Sequence, residues 1–268
     1  DAGIAQMGNA AAANPIAVAE GLAQIHNQRK DDIARIAKHH KPKIIFLENV
    51  KGLKSHNNGN TFRTIKQTLE DLGYNIFSKI INAKDFGVPQ NRERIYIIGF
   101  LDNVDFSFPN PIIDETKLGK ILEKNVAEKY TLSDKLWNGH IRRKQEHIAK
   151  GNGFGYSIFD ENSRYTSTIS ARYYKDGSEI LIKQRNKNPR KLTPREAARL
   201  QGFPDNFKIV VSDNQAYKQF GNSVCVPVIH ALAIQIKLSL EKPFLENNNL
   251  ELDLFNYKKY EDRKIATF

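Results

Sequence analysis

A chain of 268 residues with 40% hydrophobic content is long enough for one large domain or two modest ones, and its formal net charge of +11 calls for a polyanionic partner, nucleic acid first. One cysteine excludes an intramolecular disulfide framework and a CxxC zinc site, and fits a reducing cytoplasm. No apolar run approaches the roughly 20 residues that span a bilayer and no signal peptide is legible, so no membrane partner is expected; Asp1 in place of Met suggests a start further upstream.

Residues 1–30 differ from the rest and are of unclear origin. Ala10-Ala11-Ala12-Ala13 and the apolar pattern Ile16–Ile25 predict one amphipathic helix. Gln6-Met7-Gly8-Asn9 loosely echoes Gln219-Phe220-Gly221-Asn222. From Asp31 the pattern becomes regular: a helix over Asp31–His40, a buried strand over Lys43–Leu47 and a helix over Thr61–Leu72, with Ile65, Leu69 and Leu72 at 3–4 spacing. Asn75–Ile81 alternates as a strand, Asp85–Pro89 reads as a loop, and Arg94–Phe100 is a second β-rich run. Strands alternating with helices argue for a Rossmann-like α/β sheet.

Phe106, Phe108, Pro109 and Pro111 punctuate a loop between Asp102 and Pro111, and the charged stretch 112–150 reads as helical. Gly151–Ile182, rich in glycines and aromatics, suggests a small irregular β domain. Lys191–Gln201 carries a helix start, with Pro194 early and Glu196 close behind. A further apolar helix falls within Ala216–Leu240, beginning near Pro227, and the tail after Pro243 is expected to be loosely held.

Three stretches carry the chemistry. Glu48-Asn49-Val50 ends an apolar strand, where an acid beside a desolvating wall is suited to general acid work, although an ordinary strand-end carboxylate would look the same. In Gln90-Asn91-Arg92-Glu93-Arg94 the two arginines stand two apart, so an extended backbone points both to one face, as a phosphate or base site or as a solvated pair. Carboxyl and arginines should meet at the carboxyl edge of the sheet. In Gln219–Val224, Gly221 permits an unusual turn and Asn222 and Ser223 offer short polar groups before a helix; a plain helix cap is the alternative.

With Arg190–Pro204 between them, these blocks from Asp31 to about Lys242 resemble the carboxyl-terminal two-thirds of a bacterial DNA cytosine-5 methyltransferase. The pieces Gly151–Tyr156 and Thr168–Gly177 look like the Dcm-like branch. The resemblance implies a partial Rossmann-like sheet for an S-adenosylmethionine-dependent methyltransferase, with a small irregular β target-recognition domain. It implies double-stranded DNA as substrate, a flipped cytosine and a place in restriction–modification. It divides the chain into 31–103, the second half of the catalytic domain; 104–215, target recognition; 216–242, a closing segment; and 243–268, a tail. Glu48 would hold cytosine N3 and the amino group, Arg94 the ring carbonyl, and Arg92 would brace the site. Asn222 and Ser223 would bind the cofactor. Gln90, Thr168, Ser170, Arg172, Tyr173, Tyr174 and Lys175 would contact DNA, unless the last region is a solvated hairpin with aromatic packing. No metal site is implied.

The Pro-Cys nucleophile segment and the Gly-rich cofactor loop of that family are missing from these residues. The one cysteine, Cys225, reads as a small, buried, inert thiol. Three expectations follow: a fragment or split-enzyme subunit completed by a front-half polypeptide and inactive alone; an inactive relic; or a sequence-specific DNA-binding module without catalysis.

Overall fold

The computed structural model of the chain describes residues 16–19, 27–112 and 116–247. These fall into two units. One takes the described residues up to Ile81, then Glu93–Asn110 and those from His230 onward; the other takes Asn82–Arg92 and the described part of Pro111–Ile229.

The first unit is built on a four-stranded sheet in the order β1-β2-β4-β3. Its strands are β1 (Ile16–Ala19), β2 (Ile44–Val50), β3 (Asn75–Asn82) and β4 (Glu93–Phe100). β1 runs parallel to β2, with Ile16 opposite Ile44, and β2 runs antiparallel to β4, with Glu48 opposite Tyr96 and Val50 opposite Arg94. Both central strands are almost unbroken apolar runs, as strands covered on both faces must be. Alternation then sorts them. Ile45, Leu47, Ile95 and Ile97 pack with Ile65 and Leu69 of helix α2 (Asn60–Asp71) and Ala37 of α1 (Asn27–His40). Among the other residues, Phe46 meets Tyr96 with ring centroids 6.1 Å apart, and Phe100 joins Phe77 and Phe106 at 6.0 and 5.4 Å. The aromatic residues of the 102–111 loop thus close a core rather than decorate a linker.

One expectation fails here. Ile16–Ala19 is a strand and not part of a helix, because a short run of Ile and Val beside an apolar neighbour strand gains a full ladder by pairing with β2. The rest of the predicted helix and the Gln6–Asn9 echo lie outside the described residues. The following helix starts at Asn27, earlier than its periodicity suggested.

The second unit carries helices α3 (Asp134–Ala149), α4 (Tyr173–Asp176), α5 (Pro194–Leu200) and α6 (Asp213–Asn222) around a sheet of two-residue strands in the order β5-β6-β7. These strands are Ile158–Phe159, Leu181–Ile182 and Arg190–Lys191, in keeping with the irregular β character of Gly151–Ile182. Among the described residues of the 112–150 stretch, α-helix is confined to the second half, with only single 3-10 turns at Leu118–Lys120 and Glu128–Tyr130 before it. Before Ser133, whose hydroxyl caps α3 by accepting from Leu136 N, the described backbone pairs with distant chain instead: Leu118 N donates to Ser163 O and Gly119 N to Glu161 O, both at 2.9 Å. Gly119 admits that approach, since a Cβ there would stand 2.9 Å from Glu161 O.

The start of α5 is a full capping box. Thr193 Oγ1 accepts from Glu196 N at 3.1 Å, while Thr193 N donates to Glu196 Oε2 at 2.8 Å. Glu196 is completely buried and does more than cap. Arg190 grips both its oxygens at 2.7 Å, and Glu123 N donates to Oε1 at 2.8 Å. A charge removed from water is tolerated only when its lone pairs are occupied in this way.

Helix α7 (Val226–Asn247) continues beyond Pro243, where a loose tail was expected; residues 248–268 lie outside the described ones. The stretch Asp213–Glu241, α6 with α7, is long and apolar enough by length and composition alone to cross a bilayer, a test that core helices of soluble proteins also pass. Val228, Leu232, Ile236 and Ser239 form a buried row at 3–4 spacing, the mark of a helix packed within protein.

Glu196→Ala should lower unfolding free energy by about 3–5 kcal/mol in urea denaturation, because Arg190 is left as an uncompensated buried charge. Removing Arg190 as well should recover part of the loss, and an equal or larger loss in the double variant would contradict this account of the pair.

Candidate functional site

In the first unit, β2 stays apolar through Leu47 and then presents Glu48. Arg94, diagonally across the antiparallel ladder, places Nε 3.0 Å from Glu48 Oε1. The carboxyl side chain is 10% exposed and the guanidinium 16%, so the pair is mostly desolvated but still reachable. Arg94 is held from below by its own Nη1, which donates to Glu93 O at 2.8 Å, while Glu93 pairs with Lys51. Asn49 is buried and turns the chain out of the strand, its Oδ1 accepting from Val50 N at 2.8 Å. The acid and one arginine therefore meet at the end of the sheet, as the strand pattern predicted.

Arg92 behaves differently. It stands just before β4, outside the extended run that was to give the two arginines one face, and is 4% exposed. Its guanidinium donates to three backbone carbonyls of the second unit: Ser223 at 2.8 Å, Ile169 at 3.3 Å and Gly221 at 3.4 Å. That makes it a brace for the backbone. Gln90, expected to contact DNA, needs a correction. Fully buried, its amide donates to Leu200 O at 3.0 Å and accepts from Ile169 N at 3.0 Å, so this side chain has no surface to offer DNA.

The segment Thr168–Lys175 splits in two. Tyr173 belongs to the core: fully buried, its hydroxyl donates to Ile180 O and accepts from Leu192 N, both at 2.7 Å, and burial lifts its ionisation well above the ordinary range. It cannot contact DNA as expected. Arg172 and Lys175 are exposed, and Tyr174 is half-buried with the Lys218 ammonium 4.8 Å over its ring. Thr168 is fixed by its hydroxyl donating to Asn91 O at 2.7 Å, and the exposed Ser170 by its own donating to Glu179 Oε1 at 2.7 Å.

Asn222 is exposed at the end of α6, and Ser223 caps that helix, its hydroxyl donating to Phe220 O at 2.9 Å. Gly221 lies inside the helix; it is required by a close approach, not by the unusual turn the sequence suggested. A Cβ there would lie 2.3 Å from the Ser170 carbonyl. Sequence reasoning overlooked Gln201, fully buried, whose amide donates to Phe220 O at 2.7 Å and fastens the same helix end. Its only local signal was a polar residue between Leu200 and Gly202. Gly202 has φ +78° and a would-be Cβ 2.3 Å from Pro227, so the turn there is closed to any side chain.

Cys225 is 1% exposed. Burial pushes its thiol up to about 12, and the hydrogen bond at the Val228 backbone and the Arg92 charge only partly oppose this. A thiol so placed is not a nucleophile near neutrality. Among the described residues no cluster of His, Cys, Asp and Glu could hold a metal.

Comparison with known proteins gives a consistent picture. The family profile for C-5 cytosine-specific DNA methylase matches residues 21–238. The type II methyltransferase M1.ScrFI of Lactococcus lactis subsp. cremoris is 61% identical over 216 residues, which cover 79% of this chain and 56% of that protein. M.SsoII of Shigella sonnei is 62% identical over 215 residues, 78% of this chain and 57% of its own length. The chain thus spans a little over half the length of these relatives. Among solved structures, Dnmt2 methyltransferase of S. pombe superposes with a TM-score of 0.68 at 18% identity, covering 84% of this chain and 78% of that one. The Entamoeba histolytica methyltransferase EhMeth gives 0.64 at 23%, covering 86% and 78%.

The thiol supplies a direct check. With burial pushing its thiol up to about 12, Cys225 stays protonated at pH 8, so a disulfide reagent should leave the folded chain unlabelled and react fully once urea unfolds it. Cys225 and Tyr173 both hold their protons more tightly folded than unfolded. Their contribution to stability is therefore complete below the unfolded thiol value of 9.0 and falls as pH rises towards about 12. Urea midpoints should drop over that window, and drop less in Cys225→Ala.

Proposed function

Because the chain belongs to the C-5 cytosine-specific DNA methylase family, whose enzymes take their methyl group from S-adenosylmethionine, we propose that it forms the carboxyl-terminal two-thirds of a type II DNA cytosine-5 methyltransferase. In this reading residues 31–103 are the second half of the catalytic domain and its sheet one half of a Rossmann-like methyltransferase sheet. Residues 104–215 recognise the target, and 216–242 close the catalytic domain. The parallel pairing of β1 with β2 and the antiparallel entry of β4 support the sheet assignment, and the net charge of +11 suits a duplex DNA substrate.

The Glu48–Arg94 pair carries the reading. Glu48 holds N3 and the exocyclic amino group of a flipped cytosine, and Arg94 steadies the acid and holds the ring carbonyl. Hydrogen bonding at N3 draws electrons from the ring, so a thiolate adds at C6 and C5 becomes nucleophilic. After methyl transfer to C5, loss of the C5 proton expels the thiolate and restores the ring. S-adenosylmethionine supplies the methyl group. Asn222 fits contact with it, since its amide is exposed at a helix end, and Ser223 offers the remaining lone pairs of its hydroxyl. Thr168, Ser170, Arg172, Tyr174 and Lys175 face the DNA, while Gln90, Arg92 and Tyr173 hold the frame behind them.

The thiolate comes from outside these residues. Cys225 is their sole cysteine and is buried, so a complementing front half provides nucleophile and cofactor loop, and residues 1–268 alone are inactive. The same burial favours a second reading, a DNA-binding module that does not methylate.

Transfer of labelled methyl groups to mixed-sequence duplex DNA separates these. Activity only when the front half of a relative is added supports the split enzyme; salt-sensitive DNA binding with no transfer in either case supports the module. In the active pair, Glu48→Gln and Arg94→Ala should each cut transfer by about 100-fold or more while DNA binding persists, and normal rates in both would refute the assignment.

A further inference from the structure

Helix α3 buries one titratable side chain that the reaction does not use, His140, at 3% exposure. Arg143, one turn along, brings Nη2 to 2.9 Å from His140 Nδ1 and 3.4 Å from Asp176 Oδ2. A guanidinium can only donate, so Nδ1 must be bare and accepting, which leaves the proton of the neutral ring on Nε2. Nε2 is buried and meets no hydrogen-bond partner among the described residues.

Asp176 is the last residue of α4. Its Oδ1 accepts from Ser178 N at 3.1 Å, and Gly177 between them takes φ +67° to make the turn. The line His140–Arg143–Asp176 therefore runs from helix α3 to the short helix bearing Arg172 and Lys175. The groups facing the imidazole are Arg143 from its own helix and Asp176 from α4. Tyr156 presents its ring at 6.4 Å, itself covered by the Lys144 ammonium at 4.3 Å. Burial lowers the imidazole's ionisation below its ordinary value; the Asp176 carboxylate opposes that, Arg143 reinforces it, and the Asp176 backbone carbonyl also favours the charged ring.

We propose that His140 is a positioning residue for DNA recognition: its neutral ring accepts from Arg143 and sets that guanidinium against Asp176, fixing the turn that ends the short helix bearing Lys175, with Arg172 at that helix's start. Protonation of Nδ1 sets two donors face to face and frees the turn. The proposal rests on reading Arg172 and Lys175 as DNA contacts. The neutral ring is the working form, so the effect is present above pH 6.5 and is lost as pH falls through the lower folded value.

Two measurements on the full chain test it. Nitrogen NMR of the ring should show the Nε2–H tautomer at pH 7.5 and titration below the ordinary histidine range; an Nδ1–H tautomer or an unshifted titration would overturn the clamp. Binding of a mixed-sequence duplex by the chain and by His140→Gln, whose amide oxygen can still accept from Arg143, should agree within about twofold at pH 7.5. One pH unit below the midpoint that the ring's own titration gives, the unaltered chain should bind about five-fold or more weakly than the variant, a ratio in which the general gain from other protonations cancels. The same ratio at that pH and at pH 7.5 would refute the positioning role. Absence of DNA binding by either protein at both pH values would instead overturn the DNA-recognition reading, and the positioning role with it, while the tautomer still decides whether the clamp exists.

Discussion

Three remote stretches of the second unit are tied together by one short segment. Between β3 and β4 the chain makes an excursion of eleven residues, Asn82–Arg92, and two of its side chains are turned wholly inward. Gln90 grips Ile169 N and Leu200 O; Arg92 grips the carbonyls of Ile169, Gly221 and Ser223. Three segments remote from one another in sequence are thereby held to one template. Each group involved is a backbone donor or acceptor that would otherwise lie buried and unmatched, at about 1–3 kcal/mol apiece. The arrangement is not a recognition surface, but it fixes where Thr168 and the end of α6 must lie.

The two ion pairs described above illustrate opposite uses of the same chemistry. Arg190 and Glu196 are 7% and 0% exposed, with both carboxylate oxygens engaged by guanidinium and by backbone N–H groups. Such a pair tolerates no visitor. Glu48 and Arg94, at the rim of a sheet, keep a narrow opening to solvent, with Arg94 Nε 3.0 Å from Glu48 Oε1. A buried, fully ligated pair specifies a fold; a partly open pair at a strand end is suited to exchanging its partner for a substrate.

Much of the frame could be read from residues alone, for plain reasons. The runs Ile44–Leu47 and Ile95–Ile98 are too apolar and too short to be anything but covered strands, and Ile65 and Leu69 mark the inner face of α2. Pro194 and Glu196 announced a helix start, which the capping box at Thr193 completes. What could not be read was tertiary. Tyr173 and Tyr174 are adjacent and chemically alike, yet one is in the core and the other half-exposed, a division set by the direction of a four-residue helix. Gln90 and Arg92 look like surface residues because the partners that satisfy them lie 77 to 131 positions away. Ile16–Ala19 reads as helix beside its alanines and becomes strand only because β2 offers a ladder.

The division of the chain into units has a consequence for its modularity. Among the described residues the backbone passes from one unit to the other at Ile81–Asn82, Arg92–Glu93, Asn110–Pro111 and Ile229–His230, the last within helix α7. No single cleavage releases either unit as a continuous piece, and neither could be traded between proteins by a simple cut and join. A recombination that exchanged residues from Pro111 to Ile229 would carry away the partners of Gln90 and Arg92 while leaving those two side chains behind. An exchange of the second unit must therefore travel as a mosaic, with the eleven-residue excursion either moving along or already compatible with the newcomer.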